Sequence, residues 1–409
     1  MNIWLITSGE IIPLENERSC RTGILSNRLA LAGHQVTWWT TTFDHQTKSF
    51  IFNQNTENVS NGVKMIYLHS NIGYKKNISL QRLKNHKKVS YSFKNIAKSK
   101  EKPDLIFCSF PTIELSYEAV KYGVKNSVPV IIDVRDLWPD LFYNPFKKWM
   151  RPLIKISLIG YIKKTKYLFK HCNAITAISE GYLDWGLAWS KRIKKPEDRV
   201  FTLGYDKVVN SDVNYTDYFS GKGLDVSKII VWFVGTFGQT YNLNTVIKVA
   251  QILETNKRND IQFVFTGDGE KMAEWSQLAG ALKNVVFTGW VNKDQLNYLS
   301  SIADIGLMAY RSDATQGLPN KLFEYMSAGI PIISSLQGET EELLNSSKSG
   351  LHYNADNAEM LLDQLLFLAY NADKRKEFGE NGFRIFEKDY SSEVVYTKLV
   401  EYLEDQGKN

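Results

Sequence analysis

The first half of the chain alternates short apolar runs with longer stretches in which apolar residues recur at helical spacing. One helical pattern begins at Arg21 and ends at Gly33, and an apolar run follows it directly. The predicted strands are 2–7, 36–42, 103–109, 129–134 and 174–179. Because continuous apolar runs separated by helices are typical of a parallel sheet covered on both faces, this half predicts a doubly wound α/β domain.

The same alternation restarts after about residue 226. The apolar runs of this second half are "KIIVWFV", "IQFVFT", "NVVFT", "IGLMAY" and "IPIISS", and helical patterns separate them. Between the halves, residues 203–228 are polar, rich in Gly, Asn and Asp, and without periodicity, which is typical of a linker. A second doubly wound domain is therefore expected after this segment.

The fold class predicted from these patterns is α/β, with two doubly wound, Rossmann-like domains whose parallel sheets face a central cleft. Residues 1–205 form the first domain, 206–385 the second, and 386–409 a C-terminal helix that packs back towards the first domain. Ligands of such sheets bind beyond the carboxyl ends of the strands. Candidate site residues should therefore come directly after each strand.

Glycines recur at these positions in the second half. Gly235 follows "VWFV", Gly267 and Gly269 follow "FVFT", and Gly289 follows "VVFT". Glycine has no Cβ, so a ligand can approach the backbone closely there. One such glycine is an ordinary turn residue, whereas the repetition favours a ligand at this edge of the sheet.

The stretch "QGLPNKLFEYMSAGIPII" predicts a helix whose start could bind an anion. Pro319 suits the first turn, where a missing N–H costs nothing. The free N–H groups and the helix dipole favour an anion there, and Lys321 adds a full positive charge. Glu324 would accept hydrogen bonds from two adjacent hydroxyls, as on a ribose. The spacing alone fits equally well a surface ion pair that contributes tenths of a kcal/mol.

Composition is that of a folded globular protein, because 43% of the 409 residues are hydrophobic and 23% are charged. The cysteines Cys20, Cys108 and Cys172 are isolated, which favours a reducing compartment over a disulfide framework or a zinc site. We expect no signal peptide in "MNIWLITSGE", and no transmembrane helix in any window.

The net charge of +6 is distributed unevenly along the chain. Residues 75–100 hold eight Lys, one Arg and no acid, and residues 146–170 hold seven Lys, one Arg and no acid. Solvated helix faces would explain both runs. Apolar side chains between the lysines, such as Trp149 and Leu153, suit instead a surface that lies against anionic lipid. Nucleic acid is disfavoured, because neither run belongs to a nucleic-acid-binding motif.

Several segments, in this order, resemble one known family: "RTGILSNRLALAGHQVTWW", "VIIDVRDLWPDLF", "AITAISEGYL", "VGTFGQTYNLNTVI", "FTGDG", "VFTGWV" and "GLPNKLFEYMSAGIPII". They are similar to the retaining glycosyltransferases of family 4, which have the GT-B fold. Within that family, the chain looks most like enzymes that build bacterial capsule and O-antigen polysaccharides. The resemblance covers nearly the whole chain and implies a nucleoside-diphosphate sugar as donor.

The resemblance implies donor contacts in the second domain. It places Glu324 at the ribose hydroxyls, and it places Gln316, where the family has a glutamate, at the transferred sugar. The other implied donor-side residues are Gly235, Thr236, Gln239, Gly267, Gly269, Trp290, Val291, Arg311, Gly317 and Leu318.

The chain departs from the family where many members carry an Arg and a Lys for the diphosphate. Thr236 and Tyr241 stand at those positions here. Lys321 is the expected substitute and a candidate catalytic residue, with Gln239 or Arg311 as further candidates.

In the first domain, Asp136 is the second candidate catalytic residue, since the family has a His or an Asp near this point. The interpretation of the Arg135–Asp136 pair as purely structural stays open. On the acceptor and phosphate side, the resemblance and the strand ends suggest Arg18, Arg21, Gly23, Arg135 and His45.

The expected function is retaining transfer of a sugar, with a UDP-sugar favoured, to a glycan or polyprenyl-diphosphate-linked acceptor in cell-surface polysaccharide biosynthesis. No cofactor and no metal are expected, because no DxD-type motif stands out. The expected location is cytoplasmic, on the inner face of the membrane. The alternatives are a GT-B sugar-nucleotide 2-epimerase and a catalytically inactive scaffold at the membrane surface.

Overall fold

The computed structural model describes residues 1–10, 20–45, 47–76, 79–143, 146–208 and 213–408. The chain divides into two compact units. Unit 1 comprises Met1–Thr202 together with Tyr396–Asn409, and unit 2 comprises Leu203–Val395.

Unit 1 is built on an eight-stranded sheet in the order β10-β9-β8-β7-β1-β2-β6-β5. The neighbouring strands are parallel except for the edge strand β5, which is antiparallel to β6. The sheet strands are β1 Asn2–Ile6, β2 Gln35–Thr41, β5 Thr56–Ser60, β6 Val63–Leu68, β7 Leu105–Phe110, β8 Val130–Val134, β9 Ala174–Ala177 and β10 Arg199–Val200. A separate antiparallel hairpin consists of β3 Phe43–Asp44 and β4 Ser49–Phe50.

The helices of unit 1 are α1 Arg21–Leu31, α2 Leu80–Ile96, α3 Ile113–Asn126, α4 Asp140–Tyr143, α5 Arg151–Ser157, α6 Ile159–His171 and α7 Glu180–Ser190. Helix α16, Ser392–Lys408, belongs to this unit from Tyr396 onwards. One turn of 3₁₀ helix, Ala97–Ser99, ends α2. Aromatic side chains fill much of the core, where the rings of Trp4 and Trp39 lie 4.8 Å apart and Phe93 lies 5.0 Å from Trp39. Burial of each such side chain stabilises the unit by about 1.5–3 kcal/mol.

Unit 2 is built on a six-stranded, fully parallel sheet in the order β13-β12-β11-β14-β15-β16. Its strands are β11 Ile229–Val234, β12 Ile261–Thr266, β13 Val285–Gly289, β14 Ile305–Met308, β15 Ile332–Ser334 and β16 Gly350–His352. Its helices are α8 Thr216–Ser220, α9 Leu243–Thr255, α10 Met272–Ala279, α11 Lys293–Ile302, α12 Asn320–Ser327, α13 Glu339–Ser347, α14 Ala358–Tyr370 and α15 Ala372–Ile385, followed by a π turn, Phe386–Tyr390. The α/β class and the two parallel-sheet domains predicted from the sequence are confirmed.

The segment predicted as a linker is partly structured. It contains α8, and both Phe219 and Leu224 are buried in a core of unit 2. These two apolar side chains are too far apart in sequence to create a periodicity, so the polar residues around them concealed a packed segment. The edge strand β5 was also missed, because "TENVS" exposes most of its side chains.

Candidate functional site

Three glycines at strand ends of unit 2 lie against one another. Gly235 follows β11, and Gly267 and Gly269 follow β12, each at a φ between 132° and 154°. A Cβ on Gly267 would overlap the carbonyl oxygen of Gly235, and a Cβ on Gly269 would lie 2.9 Å from the amide nitrogen of Phe237. Only glycine fits at these two positions, because the loops after the two strands touch through their backbones.

Backbone hydrogen bonds join these loops to the end of the third strand. The amide of Phe237 donates to the carbonyl of Asp268 at 2.9 Å, and the amide of Gly267 donates to the carbonyl of Gly289 at 3.0 Å. The carboxyl ends of β11, β12 and β13 therefore form one continuous backbone surface, at the edge where parallel sheets bind ligands.

Helix α12 begins at Asn320, as the Gly-Leu-Pro turn predicts, and Pro319 precedes its first residue. Pro319 has no side-chain group that could cap the helix, so the first N–H groups are left for water or a ligand. Lys321 and Glu324 are both buried, with 5% and 7% of their surfaces exposed. The interpretation of these two residues as an exposed surface pair is therefore wrong.

The ammonium group of Lys321 lies in a cage of aromatic rings. Its Nζ is 3.7 Å from the ring centre of Phe233, 4.0 Å from that of Tyr241 and 5.4 Å from that of Tyr310. A Cβ placed on Gly235 would lie 3.2 Å from the same Nζ. The lysine of α12 thus reaches the glycine loop after β11, which is the position that the sequence assigned to a missing basic residue.

This ammonium is electrostatically unsatisfied. Burial lowers the pKa of Lys321 well below its usual value, and the negative charge of Glu324 opposes that shift only in part. Among the described residues, no atom forms a hydrogen bond with its Nζ. A buried cation of this kind is stabilised by a bound anion, which would supply both the charge and the acceptors.

The loop before α12 presents further polar atoms. The side-chain oxygen Oε1 of Gln316 is buried and has no hydrogen-bond partner within the described part of the chain. The carbonyl of Gly317 accepts a hydrogen bond from Thr340 at 2.5 Å, and Leu318 packs against a core of unit 2. Gly317 and Leu318 are thereby fixed in place beside the start of the helix.

The other donor-side candidates lie around these loops with different degrees of exposure. Thr236 and Gln239 are exposed, and Trp290 exposes 80% of its surface, whereas Val291 packs against a core. The amide of Arg311 donates to the carbonyl of Thr240 at 3.0 Å.

The guanidinium of Arg311 is already paired with a carboxylate. It lies 2.9 Å from Asp313, and both side chains are at least half exposed. Lys321 is therefore the better placed of the two basic candidates.

In unit 1, Asp136 follows β8 and is half-buried. Its Oδ1 accepts a hydrogen bond from the amide of Leu137 at 2.9 Å. Burial raises the pKa of Asp136 above its usual range, although this amide and the charge of Arg82 oppose the shift.

Apart from His45, sequence reasoning missed the side chains that lie around Arg82. Its guanidinium carbon lies 4.7 Å from the ring centre of Trp138 and 5.8 Å from that of Tyr74. The buried ring of His86 stacks on Trp138 with centres 5.8 Å apart. His45 Nδ1 lies 2.8 Å from the hydroxyl of Tyr74.

Burial, together with Arg82 and Lys48, lowers the pKa of His45 to about 4. For His86, burial and Arg82 lower the pKa to about 3. Arg82 and His86 share α2, whereas Tyr74 and Trp138 lie in other segments. No motif links these four residues, so the sequence marked only His45.

Arg21 and Arg135 hold unit 1 together through a buried carboxylate. Arg21 Nε lies 3.2 Å from Asp133, and its other nitrogens donate to the carbonyls of Phe201 and Thr202. Arg135 Nε lies 2.7 Å from the same Asp133.

Arg135 also pairs with Glu10. Burial alone would raise the pKa of Asp133, but Arg21 and Arg135 outweigh it and keep that pKa below its usual value. The observed contacts of both arginines are with residues of unit 1, and the phosphate or acceptor contacts suggested for them stay predictions.

The remaining acceptor-side candidates are Gly23 and Arg18. The amide of Gly23 donates to Cys20 Sγ at 3.4 Å in the first turn of α1, and a Cβ there would lie 3.9 Å from the ring of Trp38. Arg18 lies outside the described residues. Within the described ranges, no group of three or more His, Cys, Asp and Glu is arranged to hold a metal ion, and no helix has the length and hydrophobicity needed to cross a bilayer.

Residues 215–384 match the model of one protein family, described as "Glycosyl transferases group 1". This region contains every donor-side candidate named above. An uncharacterised glycosyltransferase of Methanocaldococcus jannaschii is 25% identical over 258 residues, which are 61% of this chain and 64% of that protein. A GDP-mannose-dependent alpha-(1-6)-phosphatidylinositol monomannoside mannosyltransferase of Mycobacterium tuberculosis is 25% identical over 34% of this chain and 38% of its own length. The chain thus matches less than two thirds of the length of each of these two relatives.

Solved structures resemble the chain over nearly its whole length. Sucrose-phosphate synthase of Thermosynechococcus elongatus superimposes with a TM-score of 0.74 at 16% identity, covering 99% of this chain and 98% of that one. HepE of Anabaena, in complex with UDP, superimposes with a TM-score of 0.68 at 13% identity, covering 99% of each chain. The chain therefore has the GT-B fold, and its residues 215–384 are similar to the glycosyl transferases group 1 family.

Proposed function

We propose that this protein is a glycosyltransferase that moves a sugar from a nucleoside-diphosphate sugar to an acceptor hydroxyl. One observation carries the proposal. The buried ammonium of Lys321 lies beside the Gly235 loop and lacks a hydrogen-bond partner among the described residues. A diphosphate at this point would satisfy the cation, the free N–H groups of α12 and the open backbone of the glycine loops.

The ribose of the donor would lie at Glu324. A carboxylate accepts hydrogen bonds from two adjacent hydroxyls, and Glu324 is one turn beyond Lys321 on the same helix. Gln316 would bind the transferred sugar through its amide, and the backbone at Trp290 and Val291 would meet the base. We favour uridine as the base, because the neighbour HepE was crystallised with UDP and with UDP-glucose.

The proposed reaction breaks the bond between the anomeric carbon and the diphosphate oxygen, and it forms a bond from that carbon to the acceptor oxygen on the same face of the sugar. The acceptor proton passes to the leaving phosphate oxygen. The greatest need is to stabilise negative charge on the departing diphosphate, and Lys321 with the start of α12 is placed to do so. Asp136 in unit 1 is the proposed carboxyl group at the reacting sugar. The reaction is proposed to need no metal.

The acceptor is proposed to be a glycan or a polyprenyl-diphosphate-linked glycan, and the pathway the synthesis of a cell-surface polysaccharide. The mycobacterial relative, by its name, acts on a lipid-linked mannoside, which supports a lipid-linked acceptor of this kind. The aromatic and basic side chains around Tyr74 and Arg82 in unit 1 are the proposed acceptor contacts, since aromatic faces and guanidinium groups suit sugars and phosphates.

The first experiment is a thermal-shift screen with UDP, GDP, TDP, CDP and NAD. A ligand at 100 times its dissociation constant stabilises the folded state by about 2.7 kcal/mol. We expect a rise in Tm with one nucleoside diphosphate, loss of that rise in Glu324→Ala, and its retention in Glu359→Ala, which changes an exposed carboxylate of α14. A Tm that no nucleotide raises would contradict the proposed donor site.

The stereochemistry is tested separately. The protein is incubated with a soluble acceptor analogue and with a donor in which a sugar is linked to the nucleoside diphosphate that the screen identifies. The proton NMR coupling of the anomeric centre in the product is compared with that in the donor. The same configuration supports retention. An inverted configuration would overturn the proposed mechanism, and a product epimerised at C2 without transfer would indicate the epimerase.

A further inference from the structure

A short segment of unit 1 exposes large apolar side chains. All seven residues of α5 are described, and none of them is buried. Between 42% and 71% of each side chain is exposed at Phe146, Trp149, Leu153, Ile156 and Ile159. Single exposed apolar residues are normal on protein surfaces, whereas five within fourteen positions form a patch that requires an explanation.

The spacing places two of these side chains on one face of α5. Leu153 and Ile156 are three residues apart on α5, which is the spacing of one helix face. Trp149 lies in the turn just before α5, and Ile159 is the first residue of α6. Since α5 buries none of its own residues, packing against the unit does not account for its apolar composition. The face is built for contact with something outside the unit.

The same segment is strongly basic. Residues 146–170 hold seven Lys and one Arg and no acid, and Lys147, Lys148, Lys155, Lys163, Lys166 and Lys170 are exposed. Lys155 Nζ lies 4.4 Å from the ring centre of Tyr143, so even this charge stays close to the apolar face. Apolar side chains bordered by lysines match the boundary between lipid headgroups and acyl chains.

A second helix of the same unit is also basic and exposes apolar side chains. Helix α2 exposes Leu80 and Tyr91, together with Lys84, Lys87, Lys88 and Lys94. Helix α3 packs against both α2 and α6, so these two basic helices lie on the same face of the sheet. The positive charge therefore extends beyond α5 and α6.

We propose that residues 146–170, which we name the basic apolar segment, bind the surface of a bilayer that contains anionic lipid. Trp149, Leu153 and Ile156 enter the interface, and the lysines contact the headgroups. A second copy of the chain is a poorer occupant, because self-complementary pairing would place lysines against lysines. Nucleic acid would leave the apolar face without a contact. This binding does not depend on the proposed sugar transfer.

The test is co-sedimentation of the full chain with vesicles of phosphatidylcholine, and with vesicles of equal parts phosphatidylcholine and phosphatidylglycerol. Each lysine near an anionic surface contributes about fivefold in affinity. The triple variant Lys147→Glu/Lys148→Glu/Lys163→Glu should therefore bind the anionic vesicles on the order of 100-fold more weakly. The matched control, Lys248→Glu/Lys283→Glu/Lys293→Glu, reverses three exposed lysines of unit 2 and should bind as the wild type does.

The apolar contribution is tested with Trp149→Ser/Leu153→Ser/Ile156→Ser. Binding by this variant should fall even at low salt, where the lysines act most strongly. The control is Leu31→Ser/Val59→Ser/Ile193→Ser, whose side chains are also largely exposed in unit 1. All of these side chains are exposed, so thermal melts of the variants should match the wild type.

Three outcomes would overturn the proposal. The first is equal binding by the wild type and both segment variants, and the second is equal loss in the segment variants and their controls. The third is an absence of vesicle binding together with a dimer, seen by sedimentation velocity, that dissociates in the serine variant. A protein that binds vesicles but no nucleotide would refute the proposed donor site and leave the membrane surface supported.

Discussion

Replacement of Lys321 by Met is expected to stabilise unit 2 and to abolish nucleotide binding. Methionine has a similar length and no charge, so it can fill the space among Phe233, Tyr241 and Tyr310 without a cavity. The two effects should have opposite signs because the proposed role of the ammonium is to bind a ligand, and its burial costs the fold free energy. If Lys321 stabilised the fold, its replacement would instead make the protein less stable.

Two opposing contributions set the size of the stability effect. Removal of an ammonium from water costs several kcal/mol, whereas contact with aromatic faces returns about 2 kcal/mol or more. Burial lowers the pKa of Lys321 despite the opposing charge of Glu324, so desolvation outweighs the attraction of that carboxylate. We expect Lys321→Met to gain about 1–3 kcal/mol, with a rise of about 2–4 °C in Tm for each kcal/mol in a unit of this size.

The pH dependence provides a second measurement. In the wild type, the depressed pKa means that the unfolded chain binds the proton more tightly than the folded chain does. The lysine therefore costs most stability below its folded pKa, and the cost disappears as the pH approaches about 10, where the unfolded lysine also loses its proton. The advantage of Lys321→Met should shrink over the same range.

The assay is urea unfolding of both proteins from pH 6 to pH 10, followed by the thermal-shift screen with the nucleotide. Loss of one partner of a buried charge pair costs about 2–5 kcal/mol in binding, so the nucleotide should no longer raise the Tm of Lys321→Met. Lys283→Met, at an exposed position, should change neither property. A Lys321→Met variant that is less stable than the wild type at pH 7 would refute the reasoning.

Three other substitutions follow from the described contacts. Gly267→Ala would drive its Cβ into the carbonyl oxygen of Gly235 and should lower the Tm far more than the control Gly338→Ala does. Gly338 also has a positive φ, but a Cβ there meets no heavy atom within 4 Å in the described structure. Equal Tm values for the two variants would contradict this reasoning. Asp133→Asn leaves buried arginines without their carboxylate and should cost about 3–5 kcal/mol in urea unfolding near neutral pH. Because the pKa of Asp133 is lowered in the folded state, its stabilisation is lost as the pH falls through that pKa. The difference in unfolding free energy between the wild type and Asp133→Asn should therefore shrink at acid pH. A difference that does not change with pH would exclude an ionic origin of the effect. The imidazole of His45 has a pKa of about 4 and stays neutral between pH 5.5 and pH 8. His45→Gln should therefore leave the shape of the pH–rate profile unchanged in that range. A changed shape would show that His45 titrates there.

The sequence was informative where one short segment contains both the secondary-structure pattern and the glycine or charged residue of the candidate site. Strand ends, their glycines and the start of α12 are local features, so Gly235, Gly267 and Lys321 could be identified without coordinates. Their mutual contact could also be anticipated, because the carboxyl ends of parallel strands meet at one edge of a sheet.

The sequence was less informative where a role depends on distant partners. Arg21 was named as an anion contact from the family resemblance of its loop, and Arg135 because it follows a strand, but neither argument predicted the ion pairs that these arginines form. Their partner Asp133 lies inside the apolar strand β8, and nothing in the sequence of that strand indicates that two arginines pair with its carboxylate. The cage around Lys321 shows the same limit, since its rings come from β11, from the loop after β11 and from the residues that follow β14.

The division of the chain into units has a consequence for synthesis. Unit 2 is one continuous stretch, whereas unit 1 draws on segments before and after it. The later segment is needed, since Tyr402 packs 5.1 Å from Phe201 and donates to the carbonyl of Glu197 at 2.7 Å, and Glu404 pairs with His34 at 2.8 Å. A ribosome therefore releases all of unit 2 before the residues that complete unit 1. Unit 2 is thus expected to complete its fold before unit 1, in contrast to the usual order in which the N-terminal domain folds first.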